Sequence, residues 1–172
     1  MVIEESGMRF GGLEKERLFW IEQSDIYKRL GEGIKTVEFI YLLKEDRILF
    51  VEAKTSCPNV ENRDSSEEKK KKYEEYFSDV TDKFIDSINM FATTVLGRNG
   101  QSEDVGEDML HKSTYAETEV RFILIIAEAE ESWLTGPKME LESRLFRYRK
   151  IWKAEVIVLN KEMAVKMKLV EG

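Results

Sequence analysis

Two short apolar segments dominate the hydrophobic pattern in the first third of the chain. They are TVEFIYLL, residues 36–43, and ILFVEAKTS, residues 48–56. Both are rich in β-branched and aromatic residues, and only residues 44–46 separate the first segment from Arg47, which predicts a hairpin with a three-residue loop. Apolar side chains occupy odd and even positions alike. We therefore expect the hairpin to lie inside a sheet that helices cover on both faces.

The remaining pattern predicts two amphipathic helices and two further strands. Apolar residues recur at three- and four-residue spacing over residues 73–95, which predicts a long helix that Gly97 ends. A second helix is expected to begin near Pro137. The runs VRFILIIAEAE and AEVIVLN predict strands on either side of it, and residues 161–167 predict a closing helical turn or two. Polar residues 59–72 predict a loop running into the long helix, and residues 99–118 predict another loop.

The N-terminal part predicts a different organisation. MRF and RLFWIE around Gly11 and Gly12 predict a strand, a turn and a strand, and IYKRLGEGIK predicts a glycine-punctuated connection. A chain of 172 residues suits one domain. We expect a β-rich segment over about residues 1–30 and a core over about residues 34–160. The element order predicts an α/β fold with a mixed central β-sheet flanked by helices.

Composition and charge narrow the functional classes. With 42% hydrophobic residues the chain is expected to fold, and its net charge of −7 opposes non-specific binding to a polyanion. A nuclease stays compatible with this charge, because its acidic active site contributes to it. One cysteine excludes an internal disulfide. No apolar stretch approaches the roughly 20 residues that span a bilayer, and no signal peptide is visible, so we expect a cytoplasmic protein without membrane contact.

The hairpin carries the candidate chemistry. With a three-residue loop, Leu43 faces Arg47 and Glu38 faces Glu52, while Lys54 shares their face. A two- or four-residue loop would instead shift the register by one residue, and Glu38 would no longer lie opposite Glu52. Opposed carboxylates are unfavourable in a sheet unless they share a cation, and oxygen ligands suit Mg²⁺ or Mn²⁺. A divalent cation with open positions and a nearby lysine that orients water suit phosphodiester hydrolysis.

These residues resemble the core of the PD-(D/E)XK nuclease superfamily, which has the restriction-endonuclease-like fold. Glu38 lies within an apolar strand, Glu52-Ala53-Lys54 ends the next, and the resemblance covers about residues 37–159. It implies that Glu38 and Glu52 bind Mg²⁺ and that Lys54 orients or activates the attacking water. The implied substrate is nucleic acid, with DNA favoured over RNA. Many members have another acid on an upstream helix, for which Glu22 is the best substitute here and hence a third metal ligand. The first acid is Glu rather than the usual Asp, and no proline precedes it.

Other interpretations of the same residues stay open. The hairpin charges also fit a structural ion pair, or a catalytically inactive nuclease fold that acts as a protein-interaction module, with a protein partner or a homodimer. Glu22 also fits an outward-facing strand residue. The basic residues Arg144, Arg147 and Lys150 fit phosphate contacts, but a solvated helix face is favoured. Other residues are given no functional role: His111, Cys57, and the tryptophans Trp20, Trp133 and Trp152, which we interpret as core or rim aromatics.

Overall fold

A mixed β-sheet forms the centre of the molecule. The computed structural model describes residues 1–44, 46–59, 65–100 and 103–172. Neighbouring strands in the first half of the sheet pair antiparallel, and those in the second half pair parallel. In spatial order the strands are β3 (Leu18–Phe19), β4 (Phe39–Leu43), β5 (Arg47–Lys54), β6 (Glu119–Ile126) and β7 (Glu155–Asn160).

A separate hairpin and six described α-helices surround this sheet. The hairpin pairs β1 (Ile3–Glu5) with β2 (Met8–Phe10). In the described part of the chain, short 3₁₀ helices lie at Lys15–Arg17, Ile21–Gln23 and Glu131–Trp133. The α-helices are α1 (Asp25–Leu30), α2 (Glu67–Val95), α3 (Glu107–Leu110), α4 (Thr135–Arg144), α5 (Phe146–Trp152) and α6 (Lys161–Lys166). The predicted α/β class with a mixed, helix-flanked sheet is confirmed.

The register of the β4–β5 hairpin matches the sequence prediction. Leu43 pairs with Arg47, so the loop has three residues, of which Glu45 lies outside the described part of the chain. Asp46 has a φ of 58°, a left-handed conformation often found at the end of such loops. The regular strand begins at Phe39, one residue after Glu38, whose N–H donates to the Val51 carbonyl oxygen (3.0 Å). The ladder pairs Phe39 with Val51, so this bond is shifted by one residue, and the predicted pairing of Glu38 with Glu52 is not part of the regular ladder.

Two apolar cores lie on opposite faces of the sheet. One packs β5 and β6 against α2 through side chains that include Phe50, Phe84 and Phe122. The other packs Phe39 against Phe10 of the β1–β2 hairpin and also contains Ala164 of α6. Both faces of β4 and β5 are covered, as their apolar pattern predicts. The prediction of helices on both faces is only partly right, because a β-hairpin covers much of the second face.

Several local expectations are corrected. The connection after residue 24 contains α1, whose N-cap Ser24 accepts a hydrogen bond from the Tyr27 N–H (3.1 Å). The predicted loop at residues 99–118 contains α3, although residues 101 and 102 lie outside the described ranges. The polar segment at residues 59–72 runs into α2 as expected, and the helix begins at Glu67. Residues 60–64 lie outside the described ranges.

The second predicted helix is divided at Leu145 into α4 and α5. Leu145 has φ −88° and ψ 9°, outside the usual helical range, and its side chain is buried. Its N–H still bonds to the Leu141 carbonyl (2.8 Å), and its own carbonyl accepts from Arg149 (2.9 Å). The junction is therefore a local distortion. Among the described helices, none has the length and apolar composition that a membrane crossing requires.

Candidate metal and catalytic site

The predicted site residues of the hairpin lie against α2. Glu52 is completely buried, and Glu38 is 5% exposed. The ammonium of Lys54 lies 3.1 Å from the Glu52 carboxylate and 3.5 Å from Asp79 of α2. The chain just before β4 is fixed to the same helix, since the Val37 N–H donates to the Ser87 hydroxyl (2.9 Å). The fold thus brings Glu38, Glu52 and Lys54 to one place.

A second ammonium enters this site from α2. The Lys83 Nζ atom lies 2.8 Å from Glu52 Oε1 and 3.8 Å from Glu38 Oε1, so a single cation contacts both carboxylates. Sequence reasoning missed Lys83, although a signal existed. It lies four residues before Ser87 and three after Val80, on a face of the helix that is otherwise turned toward the sheet.

Two further carboxylates lie close to that of Glu38. Glu5, Glu22 and Glu38 each offer an oxygen, and these oxygens lie within 4.8 Å of one another. Glu22, which was predicted as a metal ligand, lies in the 3₁₀ helix Ile21–Gln23 rather than in a strand. Glu5 was not predicted, because nothing in its local sequence indicates that β1 folds back onto this site.

The turn of the β1–β2 hairpin positions Glu5. Ser6 and Gly7 both have positive φ angles, of 50° and 71°. The Ser6 hydroxyl donates to the Ala53 carbonyl oxygen (3.1 Å), and Lys161 donates to the Gly7 carbonyl (3.2 Å). These two bonds attach the turn to β5 and to the beginning of α6. The carboxylate at the end of β1 is therefore held beside the end of the Glu52 strand.

The electrostatics differ between the two glutamates. Burial, the neighbouring charge of Glu52 and a hydrogen bond with Glu22 together raise the pKa of Glu38 to about 9. Burial also raises the pKa of Glu52, although contacts with Lys83 and Lys54 oppose the shift. Burial lowers the pKa of Lys83, but its contacts with Glu52 and Glu38 outweigh this and raise it. At neutral pH, without a cation, Glu38 therefore holds a proton.

The donor set fits a hard divalent cation. The second oxygen of Glu52, Oε2, is buried and has no hydrogen-bond partner among the described residues. An unsatisfied buried carboxylate oxygen is costly, and a cation satisfies it. Carboxylate oxygens are the ligands that Mg²⁺ and Mn²⁺ prefer. The oxygens of Glu38, Glu22 and Glu5 form the group that suits such an ion, and Glu52 is linked to Glu38 through Lys83.

Other candidates from the sequence lie apart from this chemistry. Arg144, with 23% of its side chain exposed, is held by Glu74 (2.8 Å) and Glu140 (2.7 Å), and Lys150 lies over the Phe146 ring (4.4 Å). His111 is exposed. Burial raises the pKa of the Cys57 thiol to about 11, so this thiol is protonated and a poor nucleophile at neutral pH.

No family model, curated protein or solved structure matches this chain.

Proposed function

We propose that this protein is a Mg²⁺- or Mn²⁺-dependent nuclease of the PD-(D/E)XK type that hydrolyses phosphodiester bonds of DNA. One observation carries the proposal. Two buried carboxylates, Glu38 and Glu52, lie at one end of a central hairpin, and the Lys54 ammonium lies 3.1 Å from Glu52. The mixed sheet around this hairpin is compatible with a restriction-endonuclease-like core.

Each side chain has a role in this proposal. Glu38 and Glu52, with Glu22 and Glu5 beside them, hold the cation. When bound, the cation neutralises phosphate charge and lowers the pKa of water. Lys54 is the most exposed of the three hairpin residues, with 26% of its side chain accessible, and it orients the attacking water. Lys83 opposes the burial penalty on Glu52 and helps to keep it ionised.

The overall charge limits how the substrate is held. A net charge of −7 gives little general attraction for a polyanion, so affinity must come from the site itself or from a protein partner. The proposed setting is the cytoplasm, with a homodimer as one way of cutting both strands of a duplex.

A second candidate function has its own support. Lys83 already contacts both Glu52 and Glu38, so the pair is partly compensated without any metal. A nuclease-like fold that has lost activity would keep such an ion pair. In that case the protein is an interaction module that binds another protein.

Cleavage assays separate these two functions. The wild type is incubated with Mn²⁺ and single- or double-stranded DNA, next to Glu52→Gln and a matched control, Glu68→Gln, on the exposed start of α2. We expect cleavage by the wild type and by the control, and none by Glu52→Gln with its melting temperature retained. Full activity in Glu52→Gln would refute the proposed mechanism. No cleavage by any of the three would favour the interaction module.

A further inference from the structure

A cleft opens at the same edge of the sheet, beyond the end of the Lys54 strand. It has a volume of about 440 Å³ and is lined by Ser56, Pro58, Glu128, Ser132, Trp133 and Pro137, among others. We name it the Trp133 cleft. Ser56 follows Lys54 by two residues, a reach of about 7 Å in an extended chain. The cleft is thus a close neighbour of the candidate site.

The wall of the Trp133 cleft nearest the sheet is well fixed. The pairing of β5 with β6 continues past both strands, because Ala127 donates to the Lys54 carbonyl (2.8 Å) and Glu128 donates to the Thr55 carbonyl (3.0 Å). The carboxyl ends of parallel strands are a common position for ligands in α/β proteins. A ligand in the cleft would rest against an ordered extension of the sheet.

Trp133 is the largest exposed side chain in this cleft. It is 59% exposed, which differs from the expectation of a core or rim aromatic. The 3₁₀ helix Glu131–Trp133 holds its backbone, since the Trp133 N–H donates to the Glu130 carbonyl (3.0 Å). An indole on an ordered backbone has only two side-chain torsions left to fix, so it offers a flat face at a modest cost in conformational entropy. Pro58 and Pro137 add further apolar surface.

The polar groups and charges of the cleft indicate what would stack there. Ser56, Ser132 and Glu128 provide hydroxyls and a carboxylate, which suit the hydrogen-bonding edge of a nucleobase, including an exocyclic amine. No Lys or Arg occurs among the described residues that line the cleft. It is therefore suited to a base rather than to a phosphate. A base within a duplex has its faces covered by its neighbours, so only an unpaired base fits.

We propose that the Trp133 cleft binds an unpaired nucleobase of the substrate, stacked on the Trp133 indole beside the bond to be cut. This inference rests on the proposed nuclease function and makes its substrate single-stranded DNA or an unpaired segment of DNA. Stacking on an aromatic side chain is tolerant of base identity, so the cleft selects strandedness more than sequence.

Binding measurements test the cleft apart from catalysis. In a Glu52→Gln background, which leaves DNA intact, fluorescence anisotropy follows labelled oligo(dC) and the same strand annealed to its complement. We expect Trp133→Ala to weaken single-strand binding about tenfold, and Trp133→Phe, which still stacks, to retain most of it. Duplex binding and the melting temperature are expected to stay unchanged. Equal single-strand affinity in Trp133→Ala and its parent would overturn the proposal.

A spectroscopic measurement and a cleavage assay complete the test. Replacing Trp20 and Trp152 by Phe leaves Trp133 as the sole indole, whose emission oligo(dC) should quench. If the wild type and Trp133→Ala cleave DNA equally well, the nuclease proposal is supported and the base-binding role of the Trp133 cleft is refuted. Single-strand binding lost in Trp133→Ala without any wild-type cleavage would support the cleft and overturn the nuclease. A wild type that neither cleaves nor binds would overturn both.

Discussion

Glu52 and Glu38 lie in the same site but in opposite electrostatic surroundings. Two ammonium groups, from Lys83 and Lys54, contact Glu52 at 2.8 and 3.1 Å. Glu38 has the carboxylates of Glu5 and Glu22 as neighbours, and Lys83 approaches it only to 3.8 Å. Negative charge is therefore balanced by the protein itself on the Glu52 side. On the Glu38 side, the negative charge is balanced only when a proton or a metal ion binds.

This difference assigns different roles to the two sides. The two ammonium groups favour the ionised form of Glu52, but burial has the larger effect and leaves its pKa raised. Glu38, whose pKa is raised, holds a proton when no cation is present, and a cation bound to the carboxylate displaces that proton. We infer that the Glu5, Glu22 and Glu38 side contributes most of the metal affinity. In the proposed mechanism the Glu52 side would support the chemistry through Lys54 and Lys83.

The largest expected effect comes from removing Lys83. Lys83→Met leaves Glu52 buried with only Lys54 nearby, and breaking a buried ion pair costs about 3 kcal/mol or more of unfolding free energy. Urea denaturation without metal measures this loss. Lys71→Met is the matched control on the same helix, because the Lys71 side chain is 76% exposed. A loss no larger than that of the control would contradict the assigned balance of charge.

The second prediction concerns metal affinity on the Glu38 side. Glu5→Gln removes one carboxylate from the acidic group, while Glu4→Gln changes its exposed neighbour on β1. We expect calorimetric titration with Mn²⁺ to show about tenfold weaker binding in Glu5→Gln, comparable to losing a supporting group around a metal site. Glu4→Gln should bind as the wild type does. Unchanged affinity in Glu5→Gln would remove Glu5 from the site.

The third prediction is a pH dependence. The folded-state pKa of Glu38 is raised from 4.5 to about 9, so the folded chain binds a proton that the unfolded chain releases. This stabilisation is complete below pH 4.5 and is lost as the pH rises toward 9. Melting temperatures without metal should fall more steeply over this range in the wild type than in Glu38→Gln. Parallel curves for the two proteins would contradict the protonated state of Glu38.

The smallest expected effect lies in the turn that positions Glu5. Ser6→Ala removes the hydrogen bond to the Ala53 carbonyl, which we expect to cost about 1 kcal/mol. Denaturation curves measure this cost, and Mn²⁺ titration should show a modest loss of affinity because Glu5 is less well held. A stability loss without any change in Mn²⁺ affinity would show that the turn does not position a ligand.

The sequence pointed to Glu22, Glu38, Glu52 and Lys54 as site residues, but not to Glu5 or Lys83. The β4–β5 register followed from loop length and strand composition, and it placed Glu52 and Lys54 on the face that carries Glu38. These are local properties of one hairpin. Glu5 depends on how β1 packs against a strand almost 50 residues later in the chain, as the Ser6–Ala53 bond shows. No periodic pattern contains that information.

The helices show the same limit. The spacing of apolar residues predicted α2 well, because one face of a long helix repeats many times. Lys83 interrupts the buried face of this helix, and a lysine in such a position indicates a buried acidic partner. The division at Leu145 is not visible in the spacing of Leu141, Leu145 and Tyr148, because hydrogen bonding continues through the junction.

Thermal melting with and without Mn²⁺, for the wild type and for Glu38→Gln, tests the central claim most directly. A ligand that binds only the folded state raises its stability, by about 2.7 kcal/mol at one hundred times the dissociation constant. We expect a clear rise in the melting temperature of the wild type and its loss in the folded variant. An absent shift in the wild type, or an equal shift in both proteins, would contradict a metal site at these carboxylates.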